Sequence, residues 1–137
     1  MKPIIYITIL IFLVGLFGCI TNHDIQLKKA IENNYRSKEE KKRDKYRNPY
    51  ETLTFFGINK KNKTLEITPG RGWYTKIIGK YMKNSDNFYV AKYKEPTFAV
   101  EIIKKIQKEF HDYFEKNKNE FGKIKYVDID TNFNFEN

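Results

Sequence analysis

Cysteine is almost absent from this sequence, because Cys19 is the only one in 137 residues. An intramolecular disulfide and a cysteine-based metal cluster are therefore excluded. Acidic residues are also few, with 17 Asp and Glu against 26 Lys and Arg, which gives a formal net charge of +9. This excess predicts solubility and attraction to anionic surfaces, and only secondarily a surface for nucleic acid. The length is sufficient for one globular domain and too short for two.

Charge is missing altogether from residues 4–17, an apolar run that follows Lys2 and ends in the string Leu16-Phe17-Gly18-Cys19. A positive start, an apolar run and a small residue before cysteine resemble the signal segment of bacterial lipoproteins, in which a peptidase cuts before the cysteine and a lipid is attached to it. We therefore predict a lipoprotein-type signal over residues 1–19, with Cys19 as the lipid-attachment site. An uncleaved membrane span and a plain secretion signal are the alternatives. All three export the remaining chain, and the first two attach it to a membrane, facing the periplasm or the cell exterior.

Long apolar stretches are also absent between residues 20 and 48, where basic residues outnumber acidic ones. This composition predicts a charged helical tether that can approach an anionic membrane surface. A solvated helix face with its own charge pairs is the simpler alternative. Ser37 is a predicted N-cap, and the helix should end just before Pro49. Residues 49–137 would then form the folded domain, starting with a helix that Gly57 stops.

One short stretch carries the clearest sign of a binding site. A strand pattern ends at Glu66, Gly70 and Gly72 follow at a spacing of two, and an amphipathic helical pattern begins near Trp73. Glycine permits positive φ and lets backbone N–H groups approach a ligand, and a helix start directs further N–H groups to the same place. The dinucleotide fingerprint is incomplete, because Thr75 occupies its third glycine position. An ordinary strand-to-helix connection is therefore the alternative to a ligand-binding loop.

The rest of the chain predicts two further strands around a long helix. Residues 88–93 and 124–129 have strand character. Residues 97–119 carry apolar side chains at three-and-four spacing, which assigns that stripe to the core. The predicted order is β-α-β-α-β, an α/β fold.

Histidine and paired acidic residues give little sign of catalysis or metal binding. His111 lies beside the apolar stripe and is interpreted as a surface or edge residue. Asp128 and Asp130 share one face of a strand, but two acids without a third oxygen donor favour solvation over a metal site. No residue stands out as a general base.

Three short strings occur together in one order along the chain. They are Arg43-Asp44-Lys45-Tyr46-Arg47-Asn48-Pro49, Phe55-Phe56-Gly57-Ile58 and Glu66-Ile67-Thr68-Pro69-Gly70-Arg71-Gly72-Trp73-Tyr74. Together they resemble exported proteins classed as predicted class I S-adenosylmethionine-dependent methyltransferases, and the likeness covers residues 36–93. The resemblance implies a partial Rossmann-like methyltransferase sheet, preceded by a signal or anchor segment and N-terminal helices.

The same resemblance implies S-adenosylmethionine as the cofactor. Glu66, Gly70 and Gly72 would take the place of the first motif, which holds the amino acid portion and the ribose of the cofactor. The loop from Thr68 to Trp73 would lie under the methyl sulfonium. The implied cofactor-binding set is Glu66, Thr68, Pro69, Gly70, Gly72 and Trp73, and no catalytic residue is implied.

An acidic residue is lacking where the second motif of that family places one. Lys92 stands at the end of the second predicted strand, and a lysine offers no acceptor to ribose hydroxyls. Glu95 comes later and next to Pro96, which assigns it to a loop or a helix start. Pro69 stands where many methyltransferases have glycine, although Pro-Gly fits the exported group.

A fourth parallel strand is lacking as well. Residues 132–137 hold too little sequence for a strand and the helix that should cover it, so one edge of the first strand should lack its neighbour. We therefore expect a truncated product, or a domain completed by a partner subunit or by self-association.

Three functions remain open. The first is an exported, membrane-tethered methyltransferase that transfers methyl by in-line displacement, catalysed mainly by proximity. The second is a non-catalytic lipoprotein that keeps half of the fold as a binding or scaffold module. A nucleic-acid binder is the least favoured, because the aromatic residues fall mostly on core-facing positions and the export signal separates the chain from intracellular nucleic acid.

Overall fold

Seven helices and four strands make up residues 22–94, 101–130 and 135–136, which the computed structural model describes. Four helices come first, and strands and helices alternate after them, so the fold is mixed α/β. In chain order the elements are α1 (Asn22–Ile31), α2 (Lys38–Lys42), α3 (Asp44–Arg47), α4 (Pro49–Phe55), β1 (Thr64–Ile67), α5 (Thr75–Tyr81), β2 (Phe88–Tyr93), α6 (Glu101–Lys116), α7 (Lys118–Phe121), β3 (Lys125–Ile129) and β4 (Phe135–Glu136).

The strands β1, β2 and β3 form a parallel sheet in that order. Val90 of β2 pairs with Glu66 of β1 and with Tyr126 of β3, so these three residues share one face of the sheet. Helix α5 connects β1 to β2, and α6 and α7 connect β2 to β3. The predicted α/β structure, with three strands joined by helices, is confirmed.

A two-residue strand, β4, adds antiparallel to β3 and places Phe135 opposite Ile129. The sequence did not predict it, because two residues are too few to show an alternating pattern. It lies at the far side of the sheet from β1. Within the described residues, β1 pairs with β2 alone.

The core lies between the helices and one face of the sheet. Leu27 of α1, Ile77 of α5 and Phe88 of β2 are almost fully buried and belong to one apolar cluster. On the opposite face of β1, Leu65 and Ile67 are 41% and 50% exposed. The sheet therefore buries its two faces unequally at β1.

The first helix belongs to this core. Leu27, Ala30 and Ile31 of α1 are buried in the same cluster as the residues of α5. They stand three and four residues apart, which is the spacing of one helical face. Part of the segment 20–48, predicted as a tether, is thus packed structure.

The polar connection after α1 follows its sequence signals closely. Ser37 caps α2 as predicted, because its hydroxyl accepts the N–H of Glu40 while the Glu40 carboxylate accepts the N–H of Ser37. The helix predicted to continue towards Pro49 is divided at Arg43 into α2 and α3. Helix α4 starts at Pro49, and Gly57 follows its end with a positive φ, as expected.

The long helix predicted over residues 97–119 is observed as α6, which ends at Lys116. Phe110 and Phe114 are buried, but Ile102 is half exposed. The prediction that the whole apolar stripe belongs to the core is therefore wrong for the N-terminal half of α6.

Some of the predictions lie outside the described residues. These are the signal segment 1–19 with Cys19, and the pair Glu95 and Pro96. In the parts of the chain that are described, no helix is both long and apolar enough to cross a membrane.

Candidate functional site

The loop after β1 contains three left-handed residues at alternate positions. Thr68 has φ of 50°, Gly70 of 58° and Gly72 of 80°. A hydrogen bond of 2.9 Å from the Gly72 N–H to the Pro69 carbonyl closes the turn. Helix α5 begins at Thr75, two residues later than predicted, because the positive φ of Gly72 interrupts the right-handed path.

The two glycines of this loop serve different purposes. A Cβ atom on Gly70 would meet no atom within 4 Å, so the loop faces open space there. A Cβ atom on Gly72 would lie 2.6 Å and 2.9 Å from ring carbons of Phe114 and 3.1 Å from Phe110. Gly72 therefore lets α6 pack closely on the loop, whereas Gly70 leaves the surface of the loop accessible to a ligand.

A cleft of about 200 Å³ lies beside Gly70. The loop residues 68–70 form one side, the end of β2 at residues 91–93 forms another, and Ile103 and Ile106 of α6 form a third. This position lies outside the carboxyl ends of parallel strands, where open α/β sheets bind their ligands. The cleft is therefore the candidate binding site.

Polar and apolar residues both line this cleft. Lys92 forms an ion pair with Asp128, with its Nζ 2.5 Å from the carboxylate oxygen. His111 is exposed, and its ring centre lies 5.7 Å from that of Tyr126. Burial raises the pKa of the Tyr126 hydroxyl to about 12, so this hydroxyl stays a neutral hydrogen-bond donor at physiological pH.

Sequence reasoning missed the contribution of α6 to this cleft. Ile103, Gln107 and His111 all line it. They are four residues apart and therefore lie on one helical face, a pattern that was visible in the sequence. Nothing in the sequence showed that this face meets the loop after β1, and His111 was accordingly interpreted as a surface or edge residue.

Glu66 lies near the loop but does not line the cleft. Its carboxylate accepts a hydrogen bond of 2.7 Å from the hydroxyl of Thr75, which is fully buried. Desolvation raises the pKa of the Glu66 carboxyl to about 7, against the opposing effect of the Thr75 hydroxyl and N–H. Glu66 lines a second groove, of about 440 Å³, between α4 and β1.

Trp73 is buried away from the cleft. Its indole N–H donates a hydrogen bond of 3.0 Å to the Glu40 carbonyl. The guanidinium groups of Arg36 and Arg47 each lie 4.8 Å from the centre of the indole ring. Trp73 thus joins the N-terminal helices to the loop.

The six residues of the implied cofactor-binding set are therefore not all in one place. Thr68, Pro69 and Gly70 line the cleft, Gly72 lies against Phe114, and Glu66 and Trp73 have side chains elsewhere. Within the described residues, no group of three or more His, Cys, Asp or Glu side chains could hold a metal ion.

No protein-family model matches this chain, and neither a curated protein nor a solved structure matches it.

Proposed function

We propose that the protein binds S-adenosylmethionine in the cleft beside the loop 68–70 and is a class I methyltransferase-like protein. The observation that carries this proposal is the position of the cleft, at the carboxyl ends of β1 and β2 and next to a loop with three left-handed residues. In this proposal the three parallel strands are the first half of a Rossmann-like sheet.

The residues of the cleft fit the adenosine part of this cofactor. Ile103, Ile106 and Phe110 offer an apolar surface to adenine, and the open space at Gly70 allows a ligand to pass over the loop. The volume of about 200 Å³ is below the roughly 300–1,000 Å³ of typical small-molecule pockets. The described residues would therefore enclose only part of the cofactor.

S-adenosylmethionine, when bound, supplies an electrophilic methyl group for in-line displacement. The contribution of this chain would be to hold and orient the reactants, which is the main source of catalysis by proximity. His111 lines the cleft, and an imidazole nitrogen can take a proton from a methyl acceptor.

A non-catalytic binding module is the second candidate, and the Lys92–Asp128 ion pair favours it. Lys92 is the last residue but one of β2, near the place where an acid would accept the ribose hydroxyls, and its ammonium group forms an ion pair with Asp128. Such a module would keep the cleft as a binding site without transferring methyl.

In either case we propose that the chain is an exported lipoprotein attached to a membrane through Cys19. Metabolic labelling with a palmitate analogue should mark the wild type but not Cys19→Ala. Equal labelling of both proteins would remove the lipoprotein assignment and leave the uncleaved span or the plain secretion signal.

Calorimetric titration with S-adenosylmethionine and its demethylated product tests cofactor binding in the domain from Thr21 onward. Gly70→Asn adds a side chain into the open space of the loop, and asparagine tolerates a left-handed backbone. Gly57→Asn is the matched control, because Gly57 also has a positive φ of 65° and no atom within 4 Å of an added Cβ. We expect Gly70→Asn to weaken cofactor binding at least about tenfold, and Gly57→Asn to leave it unchanged.

The non-catalytic module would be favoured if the wild type binds both ligands but transfers no methyl group to any acceptor in a membrane extract. Absence of binding to a folded wild type would overturn the proposal of cofactor binding.

A further inference from the structure

Among the described residues, no strand pairs with the outer edge of β1. The Thr64 N–H donates to the Asn87 carbonyl at 2.8 Å, so the backbone groups of Thr64 and Glu66 face β2. Those of Leu65 and Ile67 then face away from the sheet, and no described strand pairs with them. An open edge of this kind is a template for another strand.

An apolar groove runs beside this edge. It lies between α4 and β1, and Leu53, Ile58 and Ile78 form much of its lining. Phe55 and Phe56 stand at the end of α4 with 86% and 72% of their surface exposed, and their rings contact edge to face at 5.5 Å. Adjacent exposed aromatic side chains next to a groove mark an interaction surface.

Glu66 and Lys63 are the two charged residues that line this groove. The Glu66 side chain accepts a hydrogen bond from Thr75. In the described part of the chain, no Lys or Arg side chain forms an ion pair with Glu66. A carboxylate in apolar surroundings is complemented best by a cation that arrives with a binding partner.

We propose that this edge and groove bind an extended segment of another protein, which adds to β1 as a strand and places a Lys or Arg side chain against Glu66. Neighbours of that basic residue point to the other face of the sheet, where they meet the half-exposed Leu65 and Ile67. The segment recognised is therefore basic at one position and apolar on both sides of it. This inference does not depend on cofactor binding, because the groove is separate from the cleft.

A second copy of this chain fits the groove less well. The strand β1 reads Thr64-Leu65-Glu66-Ile67, so none of its own four residues is basic, and Lys63 directly before it is the nearest cation that a second β1 strand could bring. The formal net charge of +9 also opposes self-association. The partner is therefore a different protein.

Two labelled nonapeptides test the proposal by fluorescence anisotropy with the full-length chain at pH 8, above the pKa of about 7 of the Glu66 carboxyl, and at physiological ionic strength. One alternates valine with lysine and the other alternates valine with glutamate. Because the chain is strongly basic, non-specific attraction favours the glutamate peptide. We expect the lysine peptide to bind at least about tenfold more tightly, and Glu66→Gln to abolish that preference. Equal or tighter binding of the glutamate peptide, or an unchanged preference in Glu66→Gln, would overturn the proposal.

A second pair of variants tests the strand geometry. Leu65→Pro removes an N–H from the outer edge without removing a hydrogen bond to β2, and Leu65→Val keeps that N–H. We expect the proline variant to lose the lysine peptide and the valine variant to retain it, while titration with S-adenosylmethionine gives the same result for both. A wild type that sediments as a dimer, becomes monomeric in Leu65→Pro and ignores both peptides would assign the edge to a second copy and overturn the proposal.

Discussion

Thr68 holds a backbone conformation that β-branched residues rarely adopt. Its φ of 50° lies in the left-handed region, and its side chain is exposed, so no buried packing compensates for the conformation. Such residues cost about 1–3 kcal/mol and cluster at binding sites. Thr68, in the loop beside the cleft, therefore lowers the stability of the folded protein.

Replacing Thr68 with glycine should stabilise the protein. Glycine adopts a positive φ without a steric penalty, although it loses more entropy on folding. We expect the free energy of unfolding to rise by about 0.5–1 kcal/mol in urea titrations. Thr64→Gly is the matched control, because Thr64 lies in the regular strand β1; that variant should be less stable than the wild type. A Thr68→Gly variant that is less stable than the wild type would show that the backbone at Thr68 is not strained.

The raised pKa of Glu66 makes stability depend on pH. The folded-state value of about 7 is above the ordinary 4.5, so the folded protein holds this proton more tightly than the unfolded chain does. The resulting stabilisation is complete below pH 4.5 and is lost as the pH rises through 7. At alkaline pH the folded state contains a desolvated carboxylate.

Glu66→Gln should therefore be more stable than the wild type at pH 8, by on the order of 2 kcal/mol, and about equally stable at pH 4. The amide oxygen of glutamine can still accept the Thr75 hydroxyl. Urea unfolding at both pH values measures the difference. Glu39→Gln, at an exposed position of α2, serves as the control and should change the free energy of unfolding by less than about 0.5 kcal/mol. If the two proteins differ in free energy of unfolding by the same amount at pH 4 and at pH 8, the raised pKa of Glu66 is excluded as the cause.

At the scale of elements, Arg36 joins the N-terminal helices to the loop after β1. Its side chain is fully buried and donates hydrogen bonds to the Ile31 carbonyl at 2.6 Å and to both carboxylate oxygens of Asp44. The same guanidinium contacts the indole of Trp73. One side chain thus connects the end of α1, the start of α3 and the loop.

Arg36→Ala should destabilise the protein by about 3–5 kcal/mol, because it leaves Asp44 and the Ile31 carbonyl without their donor. Chemical unfolding monitored by far-ultraviolet circular dichroism measures the loss. Lys38→Ala, at an exposed position two residues away, should cost less than about 0.5 kcal/mol. If Arg36→Ala and Lys38→Ala lose similar amounts of stability, Arg36 does not hold the N-terminal helices to the loop after β1.

The elements followed from local patterns more fully than their packing did. Ser37, Pro49 and Gly57 marked helix ends because capping and left-handed turns depend on neighbouring residues. The burial of Arg36 was not predictable, since a charged residue in a charge-dense segment looks solvated until its distant partners are known. In the candidate site, the loop was recognisable from its glycines, but the approach of Phe114 to Gly72 depends on tertiary contacts.

At the scale of the whole molecule, residues 22–94 and 101–130 share one core. Leu27 and Ile31 of α1 belong to the same cluster as Ile77 and Phe88. The sequence predicted residues 20–48 as a tether outside the folded domain. With a shared core, the N-terminal helices and the sheet should lose their structure together.

Thermal unfolding of the domain from Thr21 onward should therefore show one calorimetric transition, with calorimetric and van't Hoff enthalpies in agreement. Deleting residues 22–48 should abolish that transition, because it removes Leu27, Ala30 and Ile31 from the core. Two separate transitions, or an unchanged midpoint after the deletion, would instead support an independent tether.

The single tryptophan of this chain has an optical consequence. Trp73 is buried where the N-terminal helices meet the loop, and its indole is in contact with Arg36 and Arg47. Its fluorescence therefore comes from one known place, three residues after Gly70. Emission spectra recorded during a titration would report whether a ligand at the loop disturbs the joint with the helices, and no added dye would be required.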